Sequence, residues 1–306
     1  MKPYTTQPLV SIIITAYNEE QYISDAMASM LAQTYRNIEV IVVDDGSTDA
    51  TYKILKQYRA IDKRVKIIRA PKNVGPSMAS NMAMKIARGT YIARMDADDT
   101  AVRERIEKQV AYLIKHPDVI MVGSMCYLTD EHGAIIEQKR YPLAHQGIYN
   151  SLFSFNPMLH QSCLINRKLL PRGVYFYPHE GVLAHDLELV FDLAQYGKLA
   201  NMDDAFIFYR RHHGSFSLSD PKATFHATVA VRMKALKQYG YKPTLNGWCS
   251  HWGQVLVMSF LPTTIIYPLF QFYRMNWASR RRMVTSIYTR MYSLIANSIG
   301  KEVSQA

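Results

Sequence analysis

Two short apolar runs rich in Ile and Val, Leu9 to Thr15 and Ile38 to Val43, flank a stretch from Glu20 to Gln33 in which Ile23, Met27, Met30 and Leu31 recur at helical spacing. The unit then repeats: Tyr52 to Tyr58 reads as helix, Val65 to Arg69 as strand, Ser77 to Ala87 as helix and Thr90 to Arg94 as strand. Buried strands joined through helices require parallel pairing with right-handed crossovers. The pattern therefore predicts an α/β fold, a Rossmann-like, mostly parallel sheet flanked by helices, with ligands gathered beyond the carboxyl ends of its strands. Polar residues punctuate those ends. Thr15-Ala16-Tyr17-Asn18 follows the first strand, Asp44-Asp45-Gly46-Ser47 the second and Asp96-Ala97-Asp98-Asp99 the fourth.

After this first half, residues 1–116, the stretch 117–220 mixes short strands and helices and is expected to cover the sheet edge. A third region, 221–306, differs in kind. From Pro221 onward eleven Lys/Arg face a single acid, Glu302, so of the net charge of +11 only +1 belongs to residues 1–220. A balanced body with a cationic tail excludes a whole-surface nucleic-acid binder and favours a tail that meets something anionic. Pro243 to Tyr273 contains no formally charged residue. Val255 to Tyr273 approaches the roughly 20 residues of a membrane span, but Pro262 and Pro268 interrupt it. Trp248, Trp252, Tyr267, Tyr273 and Trp277 precede or adjoin Arg274, Arg280, Arg281 and Arg282. Two readings stay open: a helical extension lying on an anionic membrane surface, or a helical hairpin packed on the body. Cys126, Cys163 and Cys249 show neither metal spacing nor a disulfide framework, and the opening MKPYTTQPLVSIIIT lacks a cleavage-site pattern. A cytoplasmic location, peripheral on the inner face of the membrane, is expected.

The chemistry concentrates in the acidic turns. Asp96-Ala97-Asp98-Asp99 places three carboxylates just beyond a strand, a density that costs repulsion unless a cation or hydrogen-bond donors neutralise it. Hard oxygen ligands suit Mg²⁺ or Mn²⁺, and such an ion can bridge a pyrophosphate. Equally, Asp98 or Asp99 could cap a helix through Val102 to Ile114. Asp44-Asp45-Gly46-Ser47-Thr48-Asp49 carries the same two readings, a ligand turn or a capping turn.

Together, VSIIITAYNEEQYISDAMASMLAQTYRNIEVIVVDDGSTDAT and NVGPSMASNMAMKIARGTYIARMDADD closely resemble the family 2 glycosyltransferases, whose nucleotide-binding half has the GT-A fold. The likeness runs almost continuously from Leu9 to Asp99 and in fragments to about Ser217. It implies a catalytic domain over 1–220, with a nucleotide-sugar-binding half (1–116) and an acceptor half (117–220). By that resemblance Thr15 and Asp45 contact the nucleobase. Tyr17, Asn18, Asp44, Asn73 and Gly75 complete the donor site, Asp96 and Asp98 form the DXD-type element, and Asp98 or Asp99 holds the metal. The family's carboxylate base falls on Asp186 within Ala184-His185-Asp186-Leu187-Glu188, where His185 replaces the usual glutamate. Asp186 could instead cap the following helix. His185 either tunes the base or the acceptor choice, or occupies a solvated turn.

Tyr209-Arg210-Arg211-His212-His213-Gly214-Ser215-Phe216-Ser217 resembles the family's Tyr-Arg-x-His segment, placing Arg210 and His212 at the diphosphate and His212 near the metal; a surface basic turn is the alternative. Asn156-Pro157 with His160, Gln161 and Ser162 is similar to the acceptor-side segment of relatives, and His160, His185 and Glu188 are candidate acceptor contacts. No Gln-x-x-Arg-Trp element of processive synthases occurs, which favours single transfers, and neither a GxGxxG nor a P-loop occurs. The expectation is an inverting transferase moving one sugar from a nucleotide-diphospho-sugar, a UDP-sugar by preference, to a lipid-linked or polysaccharide-type acceptor. A non-catalytic nucleotide-sugar-binding or membrane-surface scaffold is the alternative.

Overall fold

In the computed structural model, residues 7–171, 177, 183–212 and 220–260 are described. Strands β1 (Val10–Ala16), β2 (Ile38–Asp44), β3 (Val65–Arg69) and β4 (Tyr91–Asp96) alternate with helices α1 (Ile23–Leu31), α2 (Thr51–Ile61) and α3 (Pro76–Ile86). All four strands run parallel in the order β3-β2-β1-β4. β1 and β2 are buried along almost their whole length. That is why they read as unbroken apolar runs without alternation. Register aligns the carboxyl ends: Asp44 pairs with Ala16 and with Arg69, and Thr15 with Asp96.

The second half extends this sheet instead of covering its edge. After the short β5 (Thr100–Ala101) and α4 (Arg105–Lys115) come β6 (Val119–Thr129), β7 (Ile135–Lys139), α5 (His145–Ser151) and β8 (Leu164–Asn166). Then follow α6 (His185–Leu193), β9 (Lys198–Arg210), α7 (Pro221–Gln238) and α8 (Leu245–Phe260). β8 lies antiparallel between β4 and β6, while β6 and β9 run parallel. At eleven and thirteen residues β6 and β9 are the longest strands described, and β6 is buried almost throughout. Its text, VIMVGSMCYLT, is interrupted by Gly and Ser, which hides a strand from a periodicity reading.

Two apolar layers sandwich the sheet. One joins Ile12, Ile14, Met27, Val40, Val42 and Val110, and the other Ile13, Ile41, Ala83, Phe153, Leu187 and Phe191. Alternate residues of β1 and β2 thus serve opposite faces. The chain divides into two compact units, one through Gly253 and one from Gln254 onward, so α7 belongs with the first. Among the described residues, no helix is long and apolar enough to cross a membrane. The expected membrane-facing stretch beyond Phe260 lies outside the described residues.

Candidate active site

The strand ends are tied to one another before any ligand is considered. Asn18, in a left-handed conformation (φ 56°), accepts from Thr48 N (2.8 Å), and its own N–H donates to Ser47 Oγ (3.0 Å). Asp45 is buried, and its carboxylate accepts from Val74 N (2.8 Å) and Gly75 N (2.9 Å). Burial pushes its carboxyl up while those two N–H groups pull it down. Gly46 (φ 75°) allows the turn to press on the next loop, since a Cβ there would stand 2.6 Å from the Lys72 carbonyl carbon. Gly75 (φ 86°) opens α3, and Asn73 Oδ1 accepts from its N–H (3.1 Å). Thr15, at the end of β1, is half-buried, and Tyr17 is exposed.

At the end of β4 the carboxylates crowd. Ligand oxygens of Asp96, Asp98 and Asp99 all lie within 4.8 Å of one another. Burial, then the charges of Asp98 and Asp186, push the Asp96 carboxyl up to about 6 against the opposing pull of Arg94. Its side chain still keeps 37% of its surface open, so this is a crowded, wet site. Asp99 is fully buried: Oδ1 accepts from Arg210 N (2.8 Å) and Oδ2 from Gln161 Nε2 (2.9 Å). Burial and the Asp98 and Asp96 charges hold its carboxyl well above the usual range. His212 Nε2 lies 3.0 Å from Asp98 Oδ2, and that contact raises the imidazole's affinity for its proton.

Glu19 adds another acid. Burial, then Asp98, push its carboxyl up to about 7, with His212 pulling the other way. Tyr22, just before α1, closes the group: the His212 ring packs 4.8 Å from its ring, and the Arg210 guanidinium stands 4.6 Å over it. Hard oxygens at this spacing fit a divalent ion such as Mg²⁺ or Mn²⁺, and repulsion among them supplies the drive to bind one.

Asp186, in the first turn of α6, acts on this cluster through its charge at Asp96. Helix α6 is entered through Ala184, whose left-handed backbone (φ 66°) is unusual for a residue with a side chain, and no side chain caps the helix. The capping alternative for Asp186 is therefore not realised. Its Oδ2 accepts instead from Asn156 Nδ2 (2.8 Å), while Asn156 Oδ1 accepts from Met158 N (3.2 Å), which fixes the amide's orientation. Beside it, buried His160 shares a 2.7 Å hydrogen bond between Nε2 and the Tyr177 hydroxyl. The His185 ring meets His160 and Tyr177 edge-on at 5.7 and 5.9 Å, so it packs in an aromatic cluster and not in a solvated turn.

Several expected contacts are otherwise engaged. Glu188 is buried against α7, accepting from Lys234 Nζ and from the Tyr239 hydroxyl (3.0 Å), which removes it from the acceptor side. Asp44 is wholly buried, accepts from Ser47 N and lies 3.1 Å from Arg69 Nε, so it braces the turn instead of meeting a donor. The Arg210 guanidinium is drawn to Asp25 on α1 (3.0 Å). His213 to Ser217 fall outside the described residues. Sequence reasoning missed Glu19 and Tyr22, and it flagged the segment holding Asn156 without giving that residue a role.

A model of the family described as Glycosyl transferase family 2 matches residues 11–171. An uncharacterized glycosyltransferase of Haemophilus influenzae is 35% identical over 213 residues, covering 67% of this chain and 66% of that protein. The amylovoran biosynthesis glycosyltransferase AmsE of Erwinia amylovora is 29% identical over 240 residues, covering 76% and 88%. Among solved structures, S. aureus TarS residues 1–349 in complex with UDP-GlcNAc superposes with TM-score 0.61 at 22% identity, covering 74% of this chain and 66% of that one. The mannosyltransferase PcManGT of Pyrobaculum calidifontis, in complex with GDP-Man and Mn²⁺, gives 0.61 at 19% identity, covering 94% and 82%. These superpositions establish the GT-A architecture. The match spans just under two thirds of the length of the Haemophilus relative and of the TarS chain.

Proposed function

The chain belongs to glycosyl transferase family 2, and we propose that it transfers one sugar, with inversion, from a nucleotide-diphospho-sugar to a hydroxyl of a lipid-linked or polysaccharide-type acceptor. The observation that supports this reading is that Asp186, held by Asn156, acts electrostatically on Asp96, whose carboxylate converges with those of Asp98 and Asp99. The donor complexes of TarS and PcManGT support a nucleotide-sugar, and UDP is the first nucleotide to test. The strand-end lattice around Thr15, Asn18, Asp45 and Gly75 would seat the base and ribose. Asp96, Asp98 and Asp99, with His212 beside them, would hold Mg²⁺ or Mn²⁺, which supplies charge neutralisation to a departing diphosphate.

In this reading Asp186 Oδ1 meets the acceptor, Oδ2 being the oxygen that accepts from Asn156. As the acceptor oxygen attacks the anomeric carbon, its proton passes to Asp186 and the bond to the diphosphate breaks, the electron pair leaving with the phosphate. Attack from the face opposite that leaving group inverts the configuration. No covalent sugar-enzyme bond forms. Asp186→Asn should lower transfer by about 10²- to 10⁴-fold while leaving titration with UDP and Mn²⁺ unchanged. Normal turnover in that variant would remove Asp186 from the role, and a wild-type chain that binds UDP-sugars without turnover would favour a binding module.

The reading includes a membrane surface. Helix α8 presents Leu245, Trp252, Leu256 and Phe260, each at least 60% exposed and spaced to share one stripe. Such a stripe, in a chain whose sequence carries Arg274, Arg280, Arg281 and Arg282 farther on, suits the interface of an anionic inner leaflet. Flotation of the full chain with phosphatidylglycerol vesicles, lost in Trp252→Ser with Phe260→Ser, tests it; retention in the double variant would dismiss α8 as the contact.

A further inference from the structure

Two arginines are buried around β4, and they differ in how they are satisfied. Arg105, fully buried, donates to the Arg94 carbonyl (2.7 Å) and to Gln109 Oε1 (3.2 Å), and reaches Met95 Sδ at 3.5 Å. It buttresses the strand. Arg94 is 2% exposed, yet among the described residues its Nε and Nη1 have no hydrogen-bond partner. Its Nη2 comes no nearer than 3.5 Å to Asp96 Oδ1, and its guanidinium stands 5.8 Å over the Tyr177 ring. A buried guanidinium with unfilled N–H groups costs stability, so a purely structural role at this position would be served better by an apolar side chain.

What Arg94 does touch is the donor side. Two residues apart on one strand, Arg94 and Asp96 project from the same face of the sheet. Asp96 is the carboxylate on which the metal cluster and Asp186 both act. Arg94 also acts on buried His160, lowering that ring's hold on a proton further after burial has done most of it. The guanidinium therefore underlies both halves of the site, the acidic cluster and the His160-Tyr177 pair next to the base.

We propose that Arg94 is a positioning residue, a fixed buried cation that orients the Asp96 carboxylate for the divalent ion and the donor diphosphate. The proposal rests on the acidic cluster being the metal and donor site. Carboxylates that ligate metals depend on the groups hydrogen-bonded or paired behind them, and loss of such a group weakens metal binding even when it is itself a cation. A bare positive charge would do the reverse, since its removal would make the cluster more attractive to Mn²⁺. The sign of the change in Mn²⁺ affinity thus separates positioning from simple repulsion.

The test uses the full chain as wild type, Arg94→Met, Arg94→Lys and Arg105→Met, with thermal unfolding without metal, titration with Mn²⁺ alone, and nucleoside diphosphate release from a panel of UDP- and GDP-sugars. Arg94→Met should melt at or above the wild-type temperature, bind Mn²⁺ about 10-fold more weakly and turn over about 100-fold more slowly. Arg94→Lys, keeping the charge without the fork, should recover part of both losses. Arg105→Met should melt well below wild type. Arg94→Met melting as low as Arg105→Met, or binding Mn²⁺ as tightly as wild type or more so, overturns the proposal. So does a wild-type chain that takes up no Mn²⁺. A wild-type chain that binds Mn²⁺ but releases nothing from any donor defeats the transferase reading, while melting and Mn²⁺ affinity still decide Arg94.

Discussion

The turn after β2 and the turn after β4 look alike as text, Asp44-Asp45-Gly46-Ser47-Thr48-Asp49 against Asp96-Ala97-Asp98-Asp99, and they are physically opposite. In the first, each carboxylate is engaged by the protein's own loops: Asp44 with Ser47 N and Arg69, Asp45 with Val74 N and Gly75 N, Asp49 with Thr51 N and Glu20 N. In the second, Asp99 accepts from Arg210 N and Gln161 Nε2 and Asp98 meets His212, yet oxygens of Asp96, Asp98 and Asp99 still crowd within 4.8 Å of one another, and Glu19 joins them from another loop. A carboxylate bonded to backbone N–H groups builds a scaffold, whereas carboxylates crowded together hold a standing demand for positive charge. Acid density alone does not distinguish them. Partners do.

The largest effect expected from breaking this contrast is at Asp98. Asp98→Ala should lower turnover by about 10³-fold, as loss of the charge stabilising a leaving diphosphate would, while metal-free melting stays level or rises because crowding is relieved. Activity retained would place the ion elsewhere. Asp45→Ala should do the converse: two N–H groups lose their acceptor, costing about 2–4 kcal/mol of unfolding free energy read by urea titration. An unchanged midpoint would mean the loop does not depend on that carboxylate.

The smallest and most diagnostic effect is on pH. With the Glu19 carboxyl raised from 4.5 to about 7, the folded chain keeps a proton that the unfolded chain gives up. Metal-free stability should therefore fall as pH rises through that window. Asp96, raised to about 6, and His212, also raised, act in the same direction. Glu19→Gln should flatten the slope, matching wild type near pH 4 and exceeding its melting temperature near pH 8. Parallel curves for the two proteins would show that Glu19 does not face the cluster.

Much of the first half could be read from sequence because its determinants are local. β1 to β4 announce themselves as Ile/Val runs, and parallel register then brings Thr15 next to Asp96 without further information. Asp186 and His212 were singled out through motif; His212 lies 3.0 Å from Asp98, and Asp186 acts electrostatically on Asp96. What escaped is tertiary. Nothing in Tyr17-Asn18-Glu19-Glu20 tells which glutamate feels Asp98 in the turn after β4, and Glu19 does while Glu20 accepts from Ala50 N. Glu188, only two residues after Asp186, looked like a second acceptor group because Lys234 and Tyr239 lie far along the chain. One signal was available: an arginine inside the apolar strand Tyr91–Asp96 is out of place unless something needs it there.

Ala184 has a practical corollary. A residue with a Cβ held at φ 66° gives up roughly 1–2 kcal/mol relative to a relaxed backbone, and this one sits two positions before Asp186. Glycine would accept the same corner without strain but would also let the peptide explore every other corner, so the alanine works as a stiff hinge pin. On the role proposed for Asp186, a redesign aimed at a new acceptor would leave 184 untouched, since loosening it would let that carboxylate wander.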